Sequence, residues 1–574
     1  MFKVKSYHEG HTNPLFYREN YTNLDGKWDF VFDKKNIGEK EKFFESFPKN
    51  HLSINVPYCY LTEASGINIK DRVDNIWYHR TINIKKDKLD NFLIFNGADF
   101  TTKLWVNSKF VGRNDGGYHI FKFNIEEYLV DGDNEITIKC EDDFSVEKPR
   151  GKQRFRKENF LCWYEETTGI YKSLYLEKVP KVHINHFSIT PSFKNKTLYF
   201  TFLLSDVAKT LNIAVSYQGK LIENKQIEAK SNYLTSLIKI DDNDFHPWDV
   251  LDPKLYDISF DLEANDGIDH IETYAGIRDI YTKDSKVYLN NHELYQKLVL
   301  DQGYFDKGDL TPLNIKAYLL DINNMINMGF NGARKHQKRE SSLFYYYADV
   351  MGFLVWAEMP SMYVFTKKSV VNFYKEWKTI IRQLYNHPSI IVWTPLNESW
   401  GVPFIGISKR EQKFACDIYK YTKRHDSTRL VVSNDGWEQC DTDLTTLHFY
   451  AQNKEELKEN INLALTKNVL KTYIKKKVSI PGYDNVDKPV LVTEFGGTSF
   501  IDNSAKTWGY GKNVSSISEY RDRLKDLFSA IKEDNRVVGY CYTQLSDVKQ
   551  ERNGLYTLNR TRKIDDETMK EIQR

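Results

Sequence analysis

Two glutamates finish apolar runs in this sequence. "IIVWTPLNES" (390–399) ends in Asn397-Glu398, and "PVLVTEFGG" (489–497) carries Glu494. Each follows apolar or neutral residues, so each carboxyl group is expected to be partly desolvated. A single Glu in such a place is more often structural. A pair accompanied by Asn397, Arg334, His448 and Tyr450 suits a reaction: the cleavage of a glycosidic bond. One carboxylic acid protonates the leaving oxygen and the other carboxylate attacks the anomeric carbon. Arg334 and the Tyr450 hydroxyl would keep the attacking group ionised, and its negative charge would keep the acid protonated. Once the sugar is bonded to the nucleophile, that charge disappears and the acid turns into a base toward water. Asn397, beside the acid, is suited to hold a sugar 2-hydroxyl.

Other chemistries fit less well. Glu358 is followed by Met359-Pro360 with no His two residues on, and no His/Cys cluster has zinc spacing, so no metal is expected. "EFGG" (494–497) is too short to cradle a phosphate, and neither GxxxxGK[ST] nor GxSxG occurs. No cofactor is expected.

These residues need a scaffold that brings them together. From about residue 280 short apolar runs alternate with amphipathic segments. The strand candidates are "KLVLDQG" (297–303), "GFNGARKH" (329–336), "FLVWAEMP" (353–360), "IIVWTPLNES" (390–399), "LVVSNDGW" (430–437), "LTTLHFYA" (444–451), "PVLVTEFGG" (489–497) and "VVGYCYTQLSD" (537–547). Helical spacing fills most gaps, as in "SVVNFYKEWKTIIRQLYNHP", "EQKFACDIYKYTKRH" and "ISEYRDRLKDLFSAIKE". "TPLNIKAYLLDINNMINM" is expected to start with Thr311 as N-cap and Pro312 in the first turn, and to stop at Gly329. Eight such units predict a (β/α)8 TIM barrel over 280–574. Nearly every run is apolar first and polar last. Asp301, Arg334, His336, Glu358, Asn397-Glu398, Asn434-Asp435, His448, Tyr450, Glu494 and Gln544 would therefore meet on the carboxyl-end rim, where this fold keeps its active sites.

The rest reads as β-structure. Residues 1–180 alternate in short runs such as "IWYHRTINI" and "NEITIKC", broken by turn formers, and predict a jelly-roll; "LWVNSKFVG" predicts a hairpin turning on Asn107-Ser108. Residues 181–279 hold about seven further strands, the size of an immunoglobulin-like β-sandwich, with an irregular connector opening at His246-Pro247-Trp248.

Composition bounds the partners. Lys+Arg 81 against Asp+Glu 79 leaves a formal charge of +2, so nothing points to nucleic acid or an anionic membrane. No run approaches the roughly 20 apolar residues that span a bilayer. "MFKVKSYHEG" lacks the apolar segment of a leader, and six dispersed cysteines read as free buried thiols, which together imply a cytoplasmic protein. Aromatics reach 14%, as expected of strand-rich protein and also of a protein that stacks on sugars.

The residues resemble glycoside hydrolase family 2, which holds β-galactosidases, β-glucuronidases and β-mannosidases. "WTPLNESWG" resembles its acid/base signature and "LVTEFGG" its nucleophile signature; "GFNGARKHQK" resembles its strand-2 motif and "HFY" its strand-6 motif. "NLDGKWDFVFD", "VNSKFVGRNDGGYHIFKFNI" and "ETTGIYKSLYLE" resemble its sugar-binding jelly-roll, and "YAGIRDI" (274–280) the strand that leads into its barrel. The resemblance implies Glu398 as acid/base and Glu494 as nucleophile of a retaining exo-β-glycosidase. It implies Arg334 and Tyr450 as supports of the nucleophile, and a carbohydrate as the partner, in a chain that forms dimers or tetramers. It also implies that first-domain residues around Trp163-Tyr164 reach the pocket, where Trp163 is otherwise sandwich core. Trp508 is a sugar platform or the packing of a loop on the barrel.

Departures from the family narrow the sugar. The strand-3 Glu-x-His that holds magnesium in some β-galactosidases is absent. Where β-glucuronidases carry Asn-x-Lys, "QERNGLY" has Glu551 and Asn553; a Glu there would repel a uronate, with Arg552 close enough to offset it. "LDQGY" ends the first strand, so Asp301 either binds sugar hydroxyls or forms a salt bridge inside the barrel. A neutral sugar is expected, β-galactoside before others. β-Glucuronidase is the alternative, and a catalytically inactive carbohydrate-binding protein the alternative of a different class.

Overall fold

A computed structural model describes residues 8, 10–471, 476–485, 487–499 and 507–574. Residues 1–7, which the leader argument uses, lie outside the described residues.

Among the described residues the N-terminal region forms two facing sheets. A six-stranded sheet runs in the order 52–56, 26–32, 75–84, 132–141, 101–106, 109–115, and a four-stranded one in the order 21–23, 174–179, 90–95, 121–124. Alternate residues point between them, so Trp28, Phe30, Ile54, Leu93, Phe95, Ile136 and Ile138 make one apolar core. The hairpin at Asn107-Ser108 forms as expected. Both residues have positive φ (48° and 67°), the conformation that a two-residue turn between twisted strands requires.

The next region packs a three-stranded sheet (184–192, 197–204, 233–239) on a four-stranded one (210–217, 220–228, 256–264, 267–275). Its core includes Phe187, Phe200, Phe202 and Phe260. The connector at His246-Pro247-Trp248 buries Trp248 completely, with the indole N–H donating to the Asp349 carbonyl at 2.7 Å. Past Ala275, Arg278 donates to the carbonyls of Pro388, Ile390 and Thr428 and fastens the chain to the amino end of the barrel.

The barrel follows. Its strands are β1 (Gln296–Asp301), β2 (Gly332–Lys335), β3 (Leu354–Glu358), β4 (Ile390–Thr394), β5 (Leu430–Val431), β6 (Thr445–Phe449), β7 (Val490–Gly496) and β8 (Val537–Thr543). All neighbours are parallel, in the order β5-β4-β3-β2-β1-β8-β7-β6. Seven fall inside segments read as strands from the sequence, and β1 begins one residue before its segment. β5 has two residues, and its seam with β6 is held by Asp443 instead of a ladder: its N–H donates to the Val431 carbonyl at 2.9 Å, and its carboxylate accepts from the Val431 N–H at 2.8 Å.

The helices are α1 (Lys316–Asn327), α2 (Ser342–Met351), α3 (Lys367–Leu384), α4 (Lys409–His425), α5 (Lys454–Lys467), α6 (Ile517–Lys532) and α7 (Asp566–Gln573). Residues 432–444, between β5 and β6, form no helix. One expected start is wrong. α1 begins at Lys316, not after Thr311. The Asn314 side chain accepts from the Lys316 N–H at 2.9 Å and opens the helix, while the Thr311 hydroxyl donates to the Tyr171 carbonyl of the jelly-roll. The apolar interior of β1–β8 merges with the helix faces into one core, so the strands are rigid supports for whatever their ends carry.

Candidate active site

Residues at or beyond the carboxyl ends of β3, β4, β5 and β7 converge on Arg334 of β2. This guanidinium is fully buried, and among the described residues it touches three carboxylates: Glu494 at 2.8 Å, Asp435 at 2.8 Å and Glu358 at 3.0 Å. Its remaining donors reach Asn397 Oδ1 at 2.5 Å and the Thr493 carbonyl at 3.2 Å. Burial disfavours its charge, but Asp435, Glu358 and Glu494 outweigh that and keep it ionised.

Glu494 lies within β7. One oxygen accepts from Arg334 and the other from the Tyr450 hydroxyl. A bulge between Leu447 and His448 brings His448 opposite Glu494, a device common beside active sites. His448 Nδ1 is 2.8 Å from Glu398 and 3.6 Å from Glu494, and its Nε2 is 3.5 Å from Asp435. Burial alone would discharge this ring; Glu494 and Asp435 reverse that and raise its pKa to about 10. Burial would likewise protonate Glu494, and His448 and Arg334 overcome it, holding its pKa down at about 2.

Glu398 stands beyond β4, whose ladder ends at Thr394. Pro395 has no N–H to continue it. The chain then turns through positive φ at Glu398 (51°) and Ser399 (58°), a conformation that costs of order 1–3 kcal/mol per residue and recurs at functional sites. The turn is held by Asp435 and Asn434, which accept from the Glu398 and Ser399 N–H groups at 2.9 Å each. Glu398 is more open than Glu494, with side-chain exposures of 16% and 6%. Burial and the charge of Glu494 raise its pKa, so it keeps its proton where Glu494 has lost its own.

The packing of His448 depends on Gly436 (φ 96°), since a Cβ there would lie 2.5 Å from His448 Nδ1. Asn397 spends its Oδ1 on Arg334, and its buried Nδ2 has no hydrogen-bond partner among the described residues. That amide N–H is available to a ligand hydroxyl. His336 lies 3.1 Å from Glu358, and burial holds its ring neutral.

Trp163 reaches the same rim. Its ring is 5.4 Å from that of Trp400, which follows the Glu398 turn, and both adjoin Tyr363. Trp508 packs differently. Its indole N–H donates to the Leu161 carbonyl at 2.9 Å, and its ring meets the edge of Tyr510, which stacks on Tyr450. Asp301 is not at the pocket. It is 1% exposed and pairs with Lys335 at 2.6 Å, its register neighbour on β2, so the salt-bridge alternative holds. Sequence reasoning listed Asp435 among strand-end residues without giving it a role; here it balances Arg334 and His448. Lys152, Trp400 and Tyr510 were not foreseen.

Among the described residues one group of His, Cys, Asp or Glu has donor atoms close enough to share an ion: Glu398, His448 and Glu494, all within 4.8 Å of one another. His448 lies between the two carboxyl groups.

This fold and rim define a class of glycoside hydrolases. Three family models match in sequence order: "Glycosyl hydrolases family 2, sugar binding domain" over residues 21–180, "Glycosyl hydrolases family 2" over 182–278, and "Glycosyl hydrolases family 2, TIM barrel domain" over 280–558. The chain belongs to glycosyl hydrolase family 2. It is 27% identical over 425 residues to a putative β-glucuronidase of Formosa agariphila (69% of this chain, 48% of that one). It is 26% identical over 403 residues to a β-galactosidase of Thermoanaerobacter pseudethanolicus (66% and 50%). The chain thus spans about half the length of these curated relatives. In fold it is similar to the β-glucuronidase of Ruminococcus gnavus, with a TM-score of 0.80 at 17% identity, covering 97% of this chain and 98% of that one.

Proposed function

We propose that this chain is a retaining exo-β-glycosidase in which Glu494 is the nucleophile and Glu398 the acid/base. One observation carries the reading. The two carboxyl groups approach within 4.8 Å, and their surroundings drive their pKa values apart, Glu494 down to about 2 and Glu398 up. Retaining glycosidases place these groups about 5–5.5 Å apart, whereas inverting ones leave about 6.5–9.5 Å for a water. In the first step a Glu494 oxygen bonds to the anomeric carbon. The bond to the aglycone oxygen breaks, and that oxygen takes the Glu398 proton. Ester formation removes the Glu494 charge that held the proton on Glu398. Glu398 then accepts a proton from the attacking water, and the sugar leaves with its β configuration restored. The free Asn397 amide N–H is suited to the sugar 2-hydroxyl.

For the sugar, one reading is a neutral glycone, β-galactosides first, which a charged Glu551 would favour. A β-glucuronidase is the second reading, favoured by the buried ammonium of Lys152. A panel of nitrophenyl β-glycosides assayed with wild type, Glu398→Gln and Glu494→Gln tests the reaction. Turnover of at least one glycoside by wild type and its collapse in Glu494→Gln are expected. Full activity of Glu494→Gln would remove the nucleophile assignment. Tight sugar binding without turnover would leave an inactive carbohydrate-binding protein.

A further inference from the structure

Lys152 enters the site from outside the barrel. It lies on the jelly-roll segment that leads to Trp163, and that segment is fastened to the rim. The Arg150 and Gly151 N–H groups donate to the Ser361 carbonyl at 2.8 and 3.1 Å, and the Tyr164 N–H donates to the Lys152 carbonyl at 2.9 Å. Gln153 donates to Asp99 at 2.6 Å and to the Tyr118 hydroxyl at 3.0 Å. Gly151 (φ 58°) lets the loop approach the barrel, because a Cβ there would sit 2.1 Å from the Gln337 carbonyl oxygen. The backbone that carries Lys152 is therefore fixed.

The side chain is 8% exposed, with its ammonium 4.6 Å from the centre of the Trp400 ring. It forms no ion pair among the described residues, and the Cys162 thiol is its one hydrogen-bonding neighbour. Glu551, Glu494 and Glu398 all act on its charge, yet none is in contact with it. A buried ammonium without a counter-ion costs several kcal/mol. One without a contacting carboxylate is suited to an anionic ligand.

The surrounding charges indicate which group. Glu494 is already matched by Arg334 and His448. Glu551 is buried, its oxygens accept from the Tyr164 hydroxyl and the Asn553 amide, and burial raises its pKa. Arg552 faces Asp547 at 3.9 Å and adds nothing there. Lys152 is in ion-pair contact with no carboxylate among the described residues, and the strongest small partner of an ammonium is a carboxylate.

We propose that Lys152 is a specificity-determining residue that binds the carboxylate of a β-linked uronic acid glycone. The inference rests on the glycosidase reading above and names its sugar. The Asn-x-Lys of β-glucuronidases is replaced here by a lysine from another domain.

The test compares wild type, Lys152→Met and Lys152→Arg on nitrophenyl β-glucuronide, β-galacturonide, β-galactoside and β-glucoside. Calorimetric titration with free D-glucuronate, D-galacturonate and D-galactose runs alongside. Wild type is expected to prefer a uronide. Lys152→Met should lose about 100-fold in kcat/KM on it and stay within about threefold on neutral glycosides, with partial recovery in Lys152→Arg. Uronate binding should disappear in Lys152→Met. Equal losses on charged and neutral sugars, or an unchanged uronide rate, would overturn the proposal. Turnover of neutral glycosides with no uronate binding would overturn it and leave the glycosidase reading standing. Uronate binding that depends on Lys152, without turnover of any glycoside, would support it and remove the glycosidase reading instead.

Discussion

The two sides of the pocket hold the same functional group in opposite states. On the β7–β2 side, Glu494 meets Arg334, His448 and the Tyr450 hydroxyl, and stays ionised. On the β4–β5 side, Glu398 is half-buried on a strained turn beside the Glu494 charge, and its pKa is raised. The difference comes from placement. Arg334 is in direct contact with Glu494 but only indirectly linked to Glu398, through Asn397. His448 touches both. Arg334 beside Glu494, and the Glu494 charge beside Glu398, drive the two pKa values apart across less than 5 Å.

The comparison can be broken from either side. Removing the nucleophile should have the largest effect: Glu494→Gln is expected to lower kcat by roughly 10⁴-fold or more, measured with an aryl glycoside. Glu398→Gln should come next, at roughly 10²–10⁴-fold. Its loss should shrink as the aglycone becomes a better leaving group, because an activated phenol leaves without a proton; an equal loss on all aglycones would contradict the acid assignment.

His448 touches both carboxyl groups, so its removal sharpens the comparison. In wild type, the proposed roles require Glu494 ionised and Glu398 protonated. The acid limb of kcat/KM should therefore lie near the Glu494 value of about 2, and the basic limb above the usual carboxylate range. His448 lowers both pKa values. His448→Asn should move both limbs to higher pH, with a rate loss of about 10–100-fold at the optimum. A pH–rate profile reads this directly, and an unmoved acid limb would contradict the role given to His448.

Gly436→Ala should act more mildly through the same ring. It pushes on His448 and adds strain at positive φ, for a loss of about 1–3 kcal/mol in chemical denaturation and a smaller loss of rate. Trp508→Phe should have the smallest effect. It deletes one hydrogen bond to Leu161, worth about 1 kcal/mol, and should change kcat/KM less than threefold.

The barrel was legible because its signals are local. A strand that is apolar first and polar last reveals both its direction and its rim, and this placed Arg334, Glu398, His448, Tyr450 and Glu494 correctly on one surface. Asp301 carries the same signal and yet faces away from the pocket. Its partner, Lys335, lies on the next strand in register with it, and register cannot be read from either strand alone. The start of α1 was misread for a related reason. Thr311-Pro312 has the chemistry of a cap, but the jelly-roll takes the hydroxyl. Lys152 gave no signal at all. It sits in "EKPRGKQRFRKE", which reads as a solvated basic run until a second domain closes over it. Residues that one domain contributes to the site of another are the part that one-dimensional pattern hides.

The proposed double displacement passes through a covalent sugar on Glu494. Incubation with 2-deoxy-2-fluoro-β-glycosyl fluorides of the preferred glycone, followed by intact-mass and peptide mass spectrometry, tests it most directly. The account predicts one added sugar, located on the peptide that contains "LVTEFGG" and absent in Glu494→Gln. A label on Glu398, or inactivation without any label, would contradict it.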